Sequence, residues 1–142
     1  MPRALPLGAI SSTSVLTVNS DLTIAGPVSL FGAGVAINNH IDTRAGGANG
    51  DVWVKSSVDI TLAASKSIKT TGGDVVLWSN SDGQSTNGGI MLYAASSITT
   101  GGGHLWMAGG ANSATPWNGL TVGDGYAVSG TTIMGTGNAA NF

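Results

Sequence analysis

The sequence predicts an all-β chain wound as a right-handed parallel β-helix, a β-solenoid with three short strands per coil and about 23–30 residues per coil. Three observations predict it. The first is an internal repeat. Residues 60–73 read I-T-L-A-A-S-K-S-I-K-T-T-G-G and residues 90–103 read I-M-L-Y-A-A-S-S-I-T-T-G-G-G. The pairs Ile60/Ile90, Leu62/Leu92, Ala64/Ala94, Ser67/Ser97, Ile68/Ile98, Thr70/Thr100, Gly72/Gly102 and Gly73/Gly103 are identical at one offset. The second is composition: 23 glycines, 8% charged residues and no glutamate leave little material for surface helices. The third is that apolar residues fall in short β-branched runs cut by glycine, a pattern of stacked units and not of disorder. Handedness follows from the crossover rule for parallel strands.

The elements follow in order. Residues 1–14 are expected to form an N-terminal segment that caps the first coil through Leu5, Leu7 and Ile10, with the coils occupying 15–142. Runs at 15–18 and 22–24 make a partial coil, and runs at 28–31, 35–37 and 41–43 a full one. The next coil reads D-V-W-V (51–54), V-D-I-T-L (58–62) and S-I-K-T (67–70). Its successor reads D-V-V-L (74–77), G-I-M-L-Y (89–93) and S-I-T-T (97–100). A last coil opens at 104–107 and is expected to continue through 120–122 and 131–134, with no cap after Ile133. Gly46 and Gly47, Gly72 and Gly73, and Gly102 and Gly103 follow the third strand each time, where glycine turns a corner with φ > 0 at no steric cost.

Coil lengths differ at one corner. From Asp51 to Asp74 is 23 residues and from Asp74 to His104 is 30. The residues 55–57 of one coil become the polar stretch 79–88 of the next, and a second polar insert covers 109–118. Inserts that recur at one corner put the loops on one edge, often the binding edge of a solenoid.

Strand alternation separates inside from outside. In the first strand Val52, Val54, Val75, Leu77, Leu105 and Met107 point inward. Trp53, Val76 and Trp106 then form an outward column, spaced about 4.8 Å per coil. In the second strand Ile60, Leu62, Ile90 and Leu92 point in, leaving Met91 and Tyr93 outside. In the third, Ile41, Thr43, Ile68, Thr70, Ile98 and Thr100 point in. Trp53, Val76, Trp106, Met91 and Tyr93 are therefore the candidate surface contacts. A tryptophan column suits a sugar ring or another protein. The competing expectation is that the two inserts fold over it as a satellite core.

Several classes are excluded. With five Lys and Arg and a net charge of −2, the chain lacks a basic surface for nucleic acid. No run approaches the ~20 apolar residues of a membrane span, and the apolar stretch after Arg3 is too short and proline-broken for a signal peptide. The absence of cysteine rules out disulfide stapling. Asp51, Asp74 and His104 hold equivalent positions after the glycine corner, but a short polar residue there is expected to cap the turn, not to catalyse. Asp21, Asp42, Asp59, Asp82 and Asp124 scatter over other strands and loops, and His40 and His104 lie on different faces. No catalytic, cofactor-binding or metal-ligating residue is expected. Ice binding would need an outward threonine array, and the outward third-strand residues are instead Asp42, Lys69 and Thr99.

The strings G-G-D-V-V-L-W-S-N-S-D-G (72–83), S-I-T-T-G-G-G-H-L-W-M-A-G-G (97–110) and W-N-G-L-T-V-G-D-G-Y-A-V (117–128) resemble repeats of filamentous-haemagglutinin-like bacterial surface adhesins. The resemblance covers roughly residues 15–134. It implies a parallel β-helix shaft, a non-enzymatic role in adhesion or matrix, and an extracellular or cell-surface location. No ligand-contacting residue carries over from it. The expected partners are the rest of a longer adhesin or further copies of the chain, and surface glycan. The alternative is a self-assembling filament subunit stacked end to end; a polysaccharide-active β-helix enzyme is the remote one.

Overall fold

Alternating apolar residues, broken at regular corners, wind the chain into stacked triangular coils. The computed structural model describes residues 5–8, 13–82, 88–110, 115–117, 120–122 and 133–135. The first coil comprises β1 (Leu5–Gly8), β2 (Leu16–Val18) and β3 (Leu22–Thr23), and the second β4 (Val28–Gly32), β5 (Val35–Ile37) and β6 (Ile41–Asp42). The third holds β7 (Val52–Ser56), β8 (Ile60–Leu62) and β9 (Ser67–Lys69), and the fourth β10 (Val75–Ser79), β11 (Ile90–Leu92) and β12 (Ser97–Thr99). β13 (Leu105–Gly109) opens the fifth, followed by β14 (Thr115–Trp117), β15 (Leu120–Val122) and β16 (Ile133–Gly135).

Like strands stack in parallel into three sheets, ordered β1-β4-β7-β10-β13, β2-β5-β8-β11-β16 and β3-β6-β9-β12. The parallel β-helix with three strands per coil is thus present. Leu5–Gly8, within the segment expected as a cap, forms a rung of the first sheet against β4.

The core is a set of columns running along the stack. Val28, Val52 and Val75 share one, Leu30, Val54 and Leu77 another, and Val35, Ile60 and Ile90 a third. All nine are buried, as is the third-sheet pair Ile41 and Ile68. Each such side chain contributes about 1.5–3 kcal/mol of transfer free energy. Of the inward threonines Thr43 and Thr70 are buried and Thr100 is half-buried, and all three keep a hydrogen bond. Thr43, Thr70 and Thr100 donate from Oγ1 to the carbonyls of Gly50, Gly73 and Gly103 at 2.6, 2.5 and 2.6 Å, closing the corner before the first sheet.

At this corner backbone rests on backbone. A Cβ on Gly73 would sit 2.5 Å from the Gly50 carbonyl oxygen, and one on Gly103 2.2 Å from that of Gly73. In the second coil the stacked glycine is Gly50. Gly46 and Gly47 lie instead in the short 3₁₀ turn Ala45–Gly47, both at positive φ and with open space around them.

One expectation is corrected. Leu120–Val122 does not continue the last coil. β15 pairs antiparallel with β14, and Ile133–Gly135 supplies the second-sheet rung by pairing with β11. An insert this long must satisfy its own backbone, and a local hairpin does so.

Candidate contact surface

The register raises two outward columns on the first sheet. Ser29, Trp53, Val76 and Trp106 form one, and Phe31, Lys55, Trp78 and Ala108 the other. The expected column therefore exists as a register feature. Its members differ in exposure: Trp53 and Trp106 are half-buried, whereas Val76 is 2% exposed.

Trp78 was missed by sequence reasoning, which ended its strand at Leu77. It lies on the outward side yet is only 5% exposed. Its Nε1–H donates to the Gly110 carbonyl at 2.9 Å, and Lys55 Nζ sits 4.3 Å from its ring centroid. The fourth rung of the outer face is thus a second packed layer, and the first residue past β13 is tied to it. The signal was the equal length of V-W-V-K-S (52–56), V-V-L-W-S (75–79) and L-W-M-A-G (105–109), each ending two residues beyond the strand read from the sequence.

Met91 lies outward on the second sheet, half-buried, in register with Thr61. Tyr93 is 40% exposed just beyond that strand, its hydroxyl 4.0 Å from Met91 Sδ. These two sit on a different sheet from the tryptophans, so the five candidates do not form one patch.

The polar residues at the corners have a shared task. Asp51 Oδ1 accepts the Asp74 N–H at 2.8 Å, and Asp74 Oδ1 accepts the His104 N–H at 2.7 Å. These residues do stack, and their carboxylates serve the backbone of the next coil. The same link recurs at the other corners. Asp59 Oδ1 accepts the Gly89 N–H at 2.9 Å before the second sheet, and Asp21 Oδ1 accepts the His40 N–H at 3.2 Å before the third. His40 Nδ1 in turn accepts the Ser67 N–H at 3.2 Å. In each case a side chain accepts from the residue one coil above, immediately before a strand or at its first position. Asp21 and Asp59, which looked scattered, belong to this set.

Two other arrangements bear on chemistry. The Ser67 hydroxyl lies 2.9 Å from His40 Nδ1, within reach for a nucleophile and its base. Ser67 is buried, however, and the same nitrogen already accepts the Ser67 N–H, so the pair links two coils. On the outer side of the third sheet Arg44 grips Asp42 with both ends of its guanidinium, Nε to Oδ1 at 2.8 Å and Nη2 to Oδ2 at 2.6 Å. That hydrogen bonding holds the Asp42 carboxyl down at about 2. Among the described residues no three His, Asp or Glu side chains gather in metal-binding geometry.

A shallow, mainly apolar groove of ≈ 250 Å³ lies at the corner between the first and second sheets. Val15, Ala33, Gly34, Val58, Asp59 and Thr61 line it. It lies on the corner that carries the inserts in the higher coils.

No protein-family model matches the chain, and no curated protein or solved structure is significantly similar to it. The surface must therefore be read from its own chemistry. No helix among the described residues is long and apolar enough to cross a membrane.

Proposed function

We propose that this chain is a non-enzymatic display module, a stretch of shaft from an exported bacterial surface protein of the filamentous-haemagglutinin-like kind. The observation that carries this reading is the Trp78 clasp. It holds Gly110, where the chain leaves the first sheet, against the outer face of the stacked ladder. The corner carboxylates favour the same reading, since Asp51, Asp59 and Asp74 are engaged by backbone donors and do not converge on a cleft. Recognition by such a module is spread along the surface, through the inserts, Trp53 and Trp106, with surface glycan or neighbouring matrix as partner. Its place is outside the cell.

A second reading, end-to-end stacking of copies into a filament, is favoured by Leu105. It continues the core column of Val52 and Val75, yet it is 38% exposed. An apolar core position open to solvent is a natural seat for another coil.

Electron microscopy of the purified chain at micromolar concentration, paired with glycan-binding measurements, tests both. Discrete particles whose glycan binding falls on W53A or W106A substitution support display. Long uniform fibres with an axial repeat of about 4.8 Å support the filament. Discrete particles that bind no glycan, with neither substitution mattering, would remove the aromatic face from the display reading.

A further inference from the structure

The corner links use two kinds of acceptor. Four are carboxylates: Asp21, Asp51, Asp59 and Asp74. The fifth is an imidazole, with His40 Nδ1 accepting the backbone N–H of Ser67. The distinction matters because a carboxylate stays an acceptor down to about pH 4, whereas an imidazole loses its only acceptor lone pair on protonation. We propose that His40 is an acid-sensitive joint between the second and third coils.

The geometry makes the joint specific. At the equivalent position one coil higher, the Ser97 N–H donates to the Lys66 carbonyl, an acceptor indifferent to mild acid. Ser67 instead turns its N–H to the imidazole, and Ser67 is only 6% exposed. Protonated His40 carries N–H groups on both ring nitrogens. The Ser67 hydroxyl, 2.9 Å from Nδ1, can rotate to accept from the new donor. The Ser67 N–H cannot turn away, because it is fixed by the backbone. It becomes a buried donor facing a donor, which is costlier than a hydrogen bond simply exchanged for water.

Several charges lie around this joint. Below is the Asp21 carboxylate, which accepts the His40 N–H and favours a positive imidazole. Above, Lys66 precedes Ser67 in the chain and opposes it. On the outer side Asp42 is gripped by Arg44 and stands in register with Lys69, so this group carries both signs. The backbone donor from Ser67 acts at contact distance and sets the direction: neutral His40 fits the joint and its protonated form does not. The link holds while Nδ1 keeps its lone pair and is lost when that nitrogen takes a proton. The chain's other histidine faces an acceptor and not a backbone donor: His104 Nδ1 lies 3.1 Å from Asp74 Oδ1. Mild acid thus loosens one joint and leaves the carboxylate links in place.

The test compares wild type with H40N, whose amide oxygen can accept the Ser67 N–H at any pH, and with H104N to remove the other imidazole. Nitrogen-15 spectra of the labelled histidines report which ring nitrogen carries the proton. Unfolding curves and Ser67 amide protection are followed from about pH 7.5 to about pH 5, where imidazoles as a class take up a proton. The expected result is an unprotonated His40 Nδ1 at neutral pH. In addition, the folding constant should fall roughly tenfold further in wild type and H104N than in H40N, with Ser67 protection lost in step. A proton on His40 Nδ1 at neutral pH, or equal acid sensitivity in wild type and H40N, overturns the proposal. Should H40N fail to fold, the neutral-pH tautomer and the Ser67 protection profile of the wild type decide alone.

Discussion

Asp74 is both donor and acceptor in one vertical chain: its N–H is held by Asp51 Oδ1 at 2.8 Å, and its own Oδ1 holds the His104 N–H at 2.7 Å. The corner thereby gains a side-chain ladder where strand pairing stops. Asp74 is nearly buried, so its carboxylate has little water to fall back on. Asp74→Ala orphans the His104 N–H and should cost about 1–3 kcal/mol. Asp74→Asn keeps an acceptor and should cost less. Urea unfolding of the two variants checks the order. Equal costs would mean that packing at this corner, and not the acceptor, matters.

The Asp42–Arg44 pair gives a pH signature that does not involve histidine. The Arg44 guanidinium lowers the Asp42 carboxyl from 3.8 to about 2 in the folded chain. A carboxyl depressed on folding stabilises the fold above its unfolded value. That contribution is lost as pH falls from near 4 toward 2. Both side chains are partly solvated, so the gain in stability is small. Carbon-13 titration should find the Asp42 midpoint near 2, and Arg44→Ala should return it toward 3.8. A midpoint unmoved by that substitution would show that the fork is not formed in solution.

Which parts of this structure were legible in the sequence follows from how periodicity works. Ile60, Ile68, Ile90 and Ile98 sit in strands of fixed length at one offset, so both their burial direction and their stacking could be read. Asp51, Asp74 and His104 were recognised as equivalent because each follows a glycine corner. Asp21, His40 and Ser67 perform the same task but are separated by 19 and 27 residues, so no single offset aligns them. Trp78 was hidden because strand ends are set by pairing with neighbouring coils. Leu120–Val122 has a strand's composition, but its partner was decided by the insert around it, a choice local pattern does not encode.

The glycine corners separate two kinds of constraint. Gly73 has no room for a side chain: a Cβ there meets the backbone oxygens of Gly50 and Asn49 at 2.5 and 2.6 Å. Neither can move without breaking the stack. Gly46 has open space on all sides and is constrained only by its φ of +64°. Gly73→Ala should therefore cost about 3 kcal/mol, as overpacking does, and Gly46→Ala about 1–2 kcal/mol of left-handed strain. Thermal unfolding of both variants measures the gap. If Gly46→Ala were the costlier, the close backbone approach at Gly73 could not be the main constraint.

Ala95 tests the same strain from the other direction. It holds φ +58° and Ser65, at the equivalent corner one coil below, holds φ +60°. Both carry a Cβ in the region that glycine occupies freely, and Ala95 is exposed at the turn after the second sheet. Ala95→Gly relieves the steric cost but gives the unfolded chain more freedom, so the two effects oppose. Left-handed strain of about 1–2 kcal/mol exceeds the entropic loss of about 0.4–1 kcal/mol. The variant should be more stable by up to about 1 kcal/mol, seen as a higher urea midpoint at unchanged slope. Ser65→Gly should behave alike, and because the turns touch through the Ser65 N–H to Ala94 carbonyl bond the two gains need not add. A loss of stability in both would mean that these corners depend on the stiffness of their side-chain-bearing residues more than they suffer from the strain.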